Sequence, residues 1–431
     1  MSSEEKMMRI RDWNRSLQVR LFGEFFSNLS FWMVFPFLAI YFADEFGTSM
    51  AGIILVVSQV FSVGANLVGG YCADRFGRRT MLFFSATAEG LAFVLFAFAN
   101  SSWLDSPILS FIAFTIAGMA GSLYHPASQA IVADIVPEKD RSTVFSVFYT
   151  SINISVVIGP IVGAVLFFNH RFILLLVSGI IFCVVGLAIR FLTEETLPSD
   201  VKAQMASGSN NWVQVVVKQM KAYGLIVKDK VFFLFVIAGI LLAQTYMQLD
   251  MLIPVYMKEV IDKQVLGNLF NREWAVTGEG SFGILLSENG LLVVLFTVFV
   301  TRWMMKYPEK WVFFLSSFLY AVAMLIFPMT ANFWVFLFAM AIFTLGELAT
   351  VGLQESFVSK LAPDDMRGQY FAAASLRYTI GRTIAPLVFP LVTWIGFTWT
   401  FMILAFLALL SGFIYLMMFK EYNKQQKEIA G

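Results

Sequence analysis

Residues 69–79 read Gly-Gly-Tyr-Cys-Ala-Asp-Arg-Phe-Gly-Arg-Arg and lie between two long apolar stretches. In this segment Gly70 permits close packing of helices and Gly77 permits a tight turn. Asp74, at the end of a predicted helix, can pair with basic residues or with the N-terminus of a neighbouring helix. A solvated basic loop would explain the arginines but not the spacing of glycine and aspartate. The segment therefore predicts a conformational latch made of Gly70, Asp74, Arg75, Gly77, Arg78 and Arg79.

The composition of the whole chain indicates a membrane protein. Of its 431 residues, 58% are hydrophobic and 14% are charged, whereas soluble proteins carry about 25% charged residues. The 47 Phe, 21 Met and 10 Trp residues are more than water-soluble domains of this length bury. We therefore exclude a soluble enzyme and a disordered or fibrous protein. The 30 basic and 29 acidic residues balance, so we also expect no nucleic-acid partner.

Apolar stretches of about 20 residues, the length that crosses a membrane, recur along the chain, and we count twelve. Basic residues decide their orientation, because cytoplasmic connections are enriched in Lys and Arg. With the N-terminus in the cytoplasm, 24 of the 30 basic residues fall inside and four fall outside. The sequence therefore predicts an all-α membrane protein with twelve transmembrane helices and both termini in the cytoplasm. The charged N-terminal segment leads directly into the first helix, so we expect no cleaved signal peptide.

The predicted helices divide into two similar halves. Pro160 recurs as Pro386, an offset of 226 positions, and residues 51–55 resemble residues 282–286. Such duplicated halves are typical of transporters that work by alternating access. We expect a turn-containing loop over 258–280. The predicted domains are a six-helix bundle over 1–192, a cytoplasmic linker over 193–230 with an amphipathic stretch, and a second six-helix bundle with a short tail over 231–431.

Two motifs resemble a known family. Residues 69–79 closely resemble the signature loop of the major facilitator superfamily. Gly159, Pro160 and Gly163 in predicted helix five resemble a motif of its antiporter branches, especially the twelve-span drug:proton antiporters, although a simple packing kink would use the same residues. The resemblance therefore implies the major facilitator fold and a proton-coupled antiporter.

Further segments are similar to LmrP-type multidrug transporters of Gram-positive bacteria, so that the resemblance covers most of the chain. These segments are residues 17–21, 247–250, 253–255 and 344–347. The resemblance implies that Asp250 and Glu347 take part in proton coupling and in recognition of cationic drugs. The chain departs from the related patterns at Phe114, where many drug:proton antiporters have Arg, and at Phe148, where LmrP-type proteins have a carboxylate.

Ionisable residues inside the predicted helices are functional candidates, because such a residue costs several kcal/mol unless it is paired or hydrated. Glu347 and Arg382 lie at matching depth on a helical hairpin, which predicts a pair that opens when the acid is protonated; a permanent ion pair is the alternative. A packing role explains Glu89 and Glu288 equally well. The predicted proton-coupling residues are Asp250, Glu347 and Arg382, and the secondary charged candidates are Glu24, Glu355 and Arg377.

In the superfamily that this chain resembles, helices one, four, seven and ten line the substrate cavity, and the cavity residues predicted here lie on helices one, four and seven. Aromatic and Met side chains there suit flat, lipophilic and cationic molecules, although a packing role is an alternative, above all for the histidine. The predicted cavity residues are Asn28, Trp32, Tyr124, His125, Gln129, Tyr246 and Met247.

These observations predict a multi-pass transporter of the bacterial cell (inner) membrane that exports amphiphilic small molecules in exchange for protons. We expect no enzymatic activity, because no nucleophile–base pair, nucleotide-binding loop or metal-ligand spacing is recognisable in the sequence. We also expect no cofactor or metal, a proton gradient as the energy source, a shell of membrane lipids and a monomer. Two alternatives remain open: a lipid or glycolipid exporter or flippase on the same fold, and proton-coupled uptake of a nutrient.

Overall fold

The structure is a computed structural model that describes residue 10 and residues 13–197, 217, 224, 229–269, 272–362 and 367–430. It is helical apart from one hairpin. The elements are α1 (Arg15–Val34), α2 (Leu38–Phe46), α3 (Thr48–Phe76), α4 (Arg78–Ala99), α5 (Pro107–Ile135), α6 (Glu138–Asn169), α7 (Arg171–Leu192), α8 (Lys230–Tyr246), α9 (Leu252–Val260), β1 (Gln264–Leu269), β2 (Arg272–Val276), α10 (Gly278–Met304), α11 (Glu309–Ile326), α12 (Phe333–Leu361), α13 (Arg367–Ile384) and α14 (Val388–Ala430).

Within these described residues, eleven segments are long and apolar enough to cross a membrane. The last of them, Ala373–Glu428, has 56 residues, which would extend about 84 Å as one straight helix across a hydrocarbon core of about 30 Å. Its backbone breaks at Gly396, where φ is 78°, a conformation that glycine adopts readily. A twelfth crossing after this break, and the side on which the termini lie, stay predictions. The amphipathic stretch of the predicted linker lies almost wholly outside the described residues.

Short 3-10 segments interrupt several of the long helices. Proline occupies three of these segments, Phe35–Phe37, Phe327–Met329 and Ala385–Leu387, because it lacks the N–H that continues an α-helix. The fourth, Met247–Leu249, has no proline. There the Gln248 side-chain amide donates to the backbone carbonyls of Gln244 and Ala385, at 3.0 and 3.3 Å, which satisfies carbonyl groups that an apolar helix cannot leave unpaired. This break directly precedes Asp250.

The connection predicted as a turn-containing loop over 258–280 contains a β-hairpin, which the prediction did not specify. Strands β1 and β2 pair antiparallel from Gln264↔Val276 to Leu269↔Arg272, with an irregularity between Val265 and Gly267. Val265 in β1 and Trp274 and Val276 in β2 are residues that favour strands.

The described helices form two compact units. Unit 1 comprises residues 1–32, 61–155 and 169–216, and unit 2 comprises residues 33–60, 156–168 and 217–431. In unit 1, α4 packs against α5 and α7. In unit 2, α8 packs against α13 and α14, and α12 packs against α10 and α11. The predicted bundle boundaries at residues 192 and 231 stay a prediction.

Unit 2 contains two equivalent contacts between a glycine and a proline carbonyl. A Cβ atom placed on Gly52 would lie 2.5 Å from the carbonyl oxygen of Pro386, and one placed on Gly283 would lie 2.8 Å from that of Pro160. The sequence repeat pairs these same two glycine segments and these same two prolines. Each glycine thus packs against the proline of the other repeat, which is the exchange of partners that a two-fold internal repeat produces.

The antiporter-like motif of α6 is also a site of close packing. Gly159 and Pro160 are buried, and a Cβ atom on Gly163 would clash with the backbone carbonyl of Met33 and lie 2.7 Å from the Phe37 ring. Close packing therefore accounts for Gly163 in this structure, and a further role of the motif in antiport stays a prediction.

Candidate functional site

Unit 1 encloses a cavity of about 530 Å³ whose wall is part aromatic and part polar. Four predicted cavity residues, Asn28, Tyr124, His125 and Gln129, line it. Trp32 is not among its lining residues and packs edge-on against Phe31, with ring centroids 5.7 Å apart. The spacing of Tyr124, His125 and Gln129 on one face of α5 explains why these three reach the same space.

A buried ion pair forms one wall of this cavity. Arg20 is 2% exposed, and its Nη2 lies 2.7 Å from Glu24 Oε1 one turn further along α1. Ser128 Oγ donates to the same Glu24 oxygen at 2.6 Å and accepts from Arg20. The Tyr124 hydroxyl lies 3.4 Å from it. Ser128 is not among the predicted cavity residues, although it lies one turn after Tyr124 on the same face of α5.

Phe148 lies on the other side of this arginine. The Arg20 guanidinium carbon is 5.1 Å from the centre of the Phe148 ring. Where the resembling transporters have a carboxylate, this chain therefore presents an aromatic face, which attracts the cation. The negative partner of Arg20 is supplied by Glu24 instead.

Glu89 lines the same cavity from α4. It reaches α5 at Gly121, where an added Cβ atom would lie 3.3 Å from its Oε1. From the sequence, a functional role and a packing role for Glu89 remain equally open. Glu89 is far from Arg20 and Glu24 in the sequence, so the sequence alone does not indicate that the three residues line one cavity.

Unit 2 places Glu347 in a smaller cavity of about 170 Å³ together with Tyr246 and Arg377. Asn289 Nδ2 donates to Glu347 Oε2 at 3.1 Å and to Thr344 Oγ1 at 2.9 Å. Tyr246 also hydrogen-bonds to Glu347, whereas Met247, its predicted neighbour in the cavity, is not among the lining residues. Glu347 is thus held by neutral donors.

Asp250 follows the break in the helix at Met247–Leu249 and lies within electrostatic range of Arg382 and Glu347. The Arg382 guanidinium carbon is 5.7 Å from the Phe35 ring centre. In the described part of the chain no ion pair joins Glu347 to Arg382. The hairpin arithmetic predicts only that Glu347 and Arg382 lie at the same depth in the membrane. The rotation of each helix about its axis decides which side chains meet, and in this structure Asp250 lies within electrostatic range of Arg382.

The remaining charged candidates have separate environments. Arg377 is 2% exposed and its guanidinium carbon lies 4.7 Å from the Phe235 ring centre and 4.8 Å from that of Tyr378. The side chain of Glu355 lies outside the described residues.

Among the residues that the structure describes, no group of three or more His, Cys, Asp and Glu side chains could hold a metal ion.

The charged residues of the predicted latch pair with residues of unit 1. Arg78 Nε lies 2.7 Å from Asp134 Oδ2, and its Nη2 lies 3.5 Å from Asp74 Oδ1. Gly77 has a φ of 96°, as the predicted turn requires. The prediction for Gly70 was wrong, because an added Cβ atom there meets open space; the close approach occurs at Gly69, next to Pro126.

Further hydrogen bonds hold the arginines of this region. The Arg75 side chain donates to the Tyr71 hydroxyl at 2.6 Å, and Arg79 donates to the carbonyl of Thr193 at 3.2 Å. Glu195 accepts from the backbone N–H groups of Arg78 and Arg79, at 2.8 and 3.4 Å. It thereby caps the N-terminus of α4, a role that no local pattern indicated, since the cap comes from more than a hundred positions away.

A sequence profile described as Major Facilitator Superfamily matches residues 20–270 and 270–431. The chain belongs to the major facilitator superfamily. It is therefore a secondary transporter that crosses the membrane several times. The likeness to LmrP-type proteins within the superfamily stays a prediction.

Among the similar proteins are two whose names describe a function. A protein of Planococcus maritimus described as a Na(+), Li(+), K(+)/H(+) antiporter is 64% identical over 419 residues, which cover 97% of this chain and 99% of that protein. The multidrug resistance protein MdtH of Yersinia pestis is 28% identical over 146 residues, 33% of this chain and 35% of that protein.

Solved structures show the same fold. A POT family transporter in complex with a thioalcohol-conjugated peptide superimposes with a TM-score of 0.75 over 96% of this chain and 98% of its own, at 18% identity. At this identity the likeness establishes the fold alone.

Proposed function

We propose that this chain is a proton-coupled antiporter of the bacterial cell membrane that exchanges alkali cations for protons. The observation that carries the proposal is the relative from Planococcus maritimus, which is 64% identical and matches almost from end to end. The matched region covers 97% of this chain.

The chemistry of unit 2 supports this proposal. Asp250 and Glu347 are carboxylates within membrane-spanning helices, and a carboxylate oxygen can hold either a proton or a hard cation such as Na⁺. Arg382, within electrostatic range of Asp250, offsets part of the negative charge. We infer that Asp250 and Glu347 carry the protons and that alternating access moves them across the membrane.

Export of lipophilic cations is the second candidate function. The cavity of unit 1 favours this function. Its volume of about 530 Å³ falls in the size range of binding sites for drug-like molecules, and its wall contains aromatic and amide side chains. The partial match to MdtH is consistent with it.

Proteoliposomes with an imposed pH gradient and an internal pH indicator test the first function against the second. We expect NaCl, LiCl and KCl each to release protons across the membrane, and choline chloride to release none. If the alkali salts have no effect while ethidium moves in a way that an uncoupler abolishes, alkali-cation exchange is refuted and drug export takes its place.

A further inference from the structure

When Glu89 is ionised, the cavity of unit 1 carries one unbalanced negative charge. Its charged lining residues are Arg20, Glu24 and Glu89. Arg20 and Glu24 neutralise each other at 2.7 Å. His125, also in the wall, makes a hydrogen bond to Gln129 at 2.9 Å and is neutral when it accepts one. The remaining charge is that of Glu89.

Gly121 has no side chain, and this allows the Glu89 carboxylate to lie close to the backbone of α5. A Cβ atom there would lie 3.3 and 3.5 Å from its two carboxylate oxygens. In the described part of the chain Glu89 makes no hydrogen bond and no ion pair. A carboxylate without a partner inside a membrane-spanning unit is costly, so an external partner in the cavity would stabilise it.

The groups that face Glu89 come from three helices. Tyr124, one turn after Gly121 on α5, lies within its electrostatic range. From α7, Phe182 lines the same cavity as Glu89. On α1, the Arg20–Glu24 pair closes the cavity further along α5, where both residues contact Ser128. No unpaired cation among these residues competes for Glu89.

We propose that Glu89 forms an alkali-cation site in unit 1, which binds one monovalent cation or, in its place, one proton. This rests on the alkali-cation exchange proposed above and names a site for it. Hard cations take oxygen ligands, and the Glu89 carboxylate with the nearby Tyr124 hydroxyl offers them. One positive charge neutralises the cavity, so cation and proton exclude each other, and a divalent cation leaves an excess charge.

Protection against a carbodiimide tests this site directly. Dicyclohexylcarbodiimide modifies protonated carboxyl groups within membrane proteins, and mass spectrometry of the purified full-length protein assigns the modified residue. We expect NaCl to lower modification of Glu89 about tenfold at a concentration about ten times its Kd, and choline chloride or MgCl₂ to leave it unchanged. Glu288 is the internal control: it is half-buried on α10 in unit 2, and its Oε2 has no partner.

Gly121→Ala gives an independent measurement on a protein that keeps Glu89. The added methyl group forces the carboxylate to move by a few tenths of an ångström, and we expect the Na⁺ concentration for half-maximal protection to rise about fivefold or more. Gly64→Ala, where a Cβ atom meets open space in the same unit, is the matched control and leaves that concentration unchanged.

The outcomes separate this site from the proposed function. If Na⁺ protects Asp250 or Glu347 but not Glu89, the site in unit 1 is refuted and alkali-cation exchange stands. Equal protection of Glu89 and Glu288, or no modification of Glu89 at any pH, also refutes the site. If Glu89 is protected but the alkali salts release no protons from proteoliposomes, the site stands as a cation site and the exchange proposal is refuted.

Discussion

Glu24 and Glu347 are both carboxylates inside membrane-spanning helices, yet their surroundings differ. Glu24 shares its oxygen with Arg20 and Ser128, whereas Glu347 accepts from the neutral amide of Asn289. Protonation of Glu24 therefore breaks an ion pair that is worth several kcal/mol when one partner is lost. Protonation of Glu347 breaks none, which suits a group that must load and release protons repeatedly.

This difference gives a prediction at the residue scale. Glu347→Gln keeps the size of the side chain and an oxygen that can accept from Asn289, but it cannot carry a proton. We expect proton-coupled exchange in proteoliposomes to fall to the background rate, while the unfolding temperature in detergent stays within a few degrees of the parent. Glu288→Gln, a neutral replacement on α10, is the control and retains exchange. A Glu347→Gln protein that responds to the pH gradient as the parent does would remove Glu347 from proton coupling.

At the scale of elements, glycine contacts set how closely the helices of unit 2 pack. The Gly52–Pro386 and Gly283–Pro160 contacts join parts of the chain that are more than a hundred residues apart. Each contact lies beside a proline, where the helix lacks one backbone hydrogen bond. Packing there leaves no room for even one methyl group.

We therefore expect Gly52→Ala and Gly283→Ala each to lower the free energy of unfolding by about 1–3 kcal/mol, the usual effect of overpacking. Thermal unfolding of the purified proteins, followed by tryptophan fluorescence in detergent, measures this. Gly64→Ala is the control, since it adds the same methyl group to the same helix as Gly52 and meets nothing within 4 Å. Equal unfolding temperatures for all three variants would show that the close contacts do not limit stability.

At the scale of the whole molecule, the distribution of basic residues predicts which side of the membrane each connection faces. The β-hairpin follows α9 and is predicted outside, whereas the C-terminal end of α14 is predicted inside. Exposed lysines mark both places, Lys263 before the hairpin and Lys424 near the C-terminus. A bent last segment with two crossings, divided at Gly396, is needed for this arrangement.

Cysteine labelling tests whether the hairpin lies outside and the C-terminal end of α14 inside. In a background where Cys72 and Cys183 are replaced by Ser, we expect Lys263→Cys to react with a membrane-impermeant maleimide in intact cells. Lys424→Cys is expected to react only after the cells are opened. With the N-terminus inside, an even number of membrane crossings places the C-terminal end inside as well. Reaction of both cysteines in intact cells would contradict this topology.

The sequence by itself determined the membrane class, the superfamily and the internal repeat. Each of these depends on composition, on the signature at residues 69–79, or on residues repeated at similar offsets, all of which are local or periodic. Through its resemblance to the superfamily it also indicated several cavity residues, among them Tyr124, His125 and Gln129.

The tertiary structure decided which side chains meet. Only packing of α4 against α5 brings Glu89 into the cavity with the Arg20–Glu24 pair, and only helix rotation brings Arg382 near Asp250 while Glu347 accepts from Asn289. The physical reason is that the interaction between buried groups depends on distances of a few ångströms between different helices. Hydropathy and periodicity describe each helix alone and do not specify how one is rotated against the next.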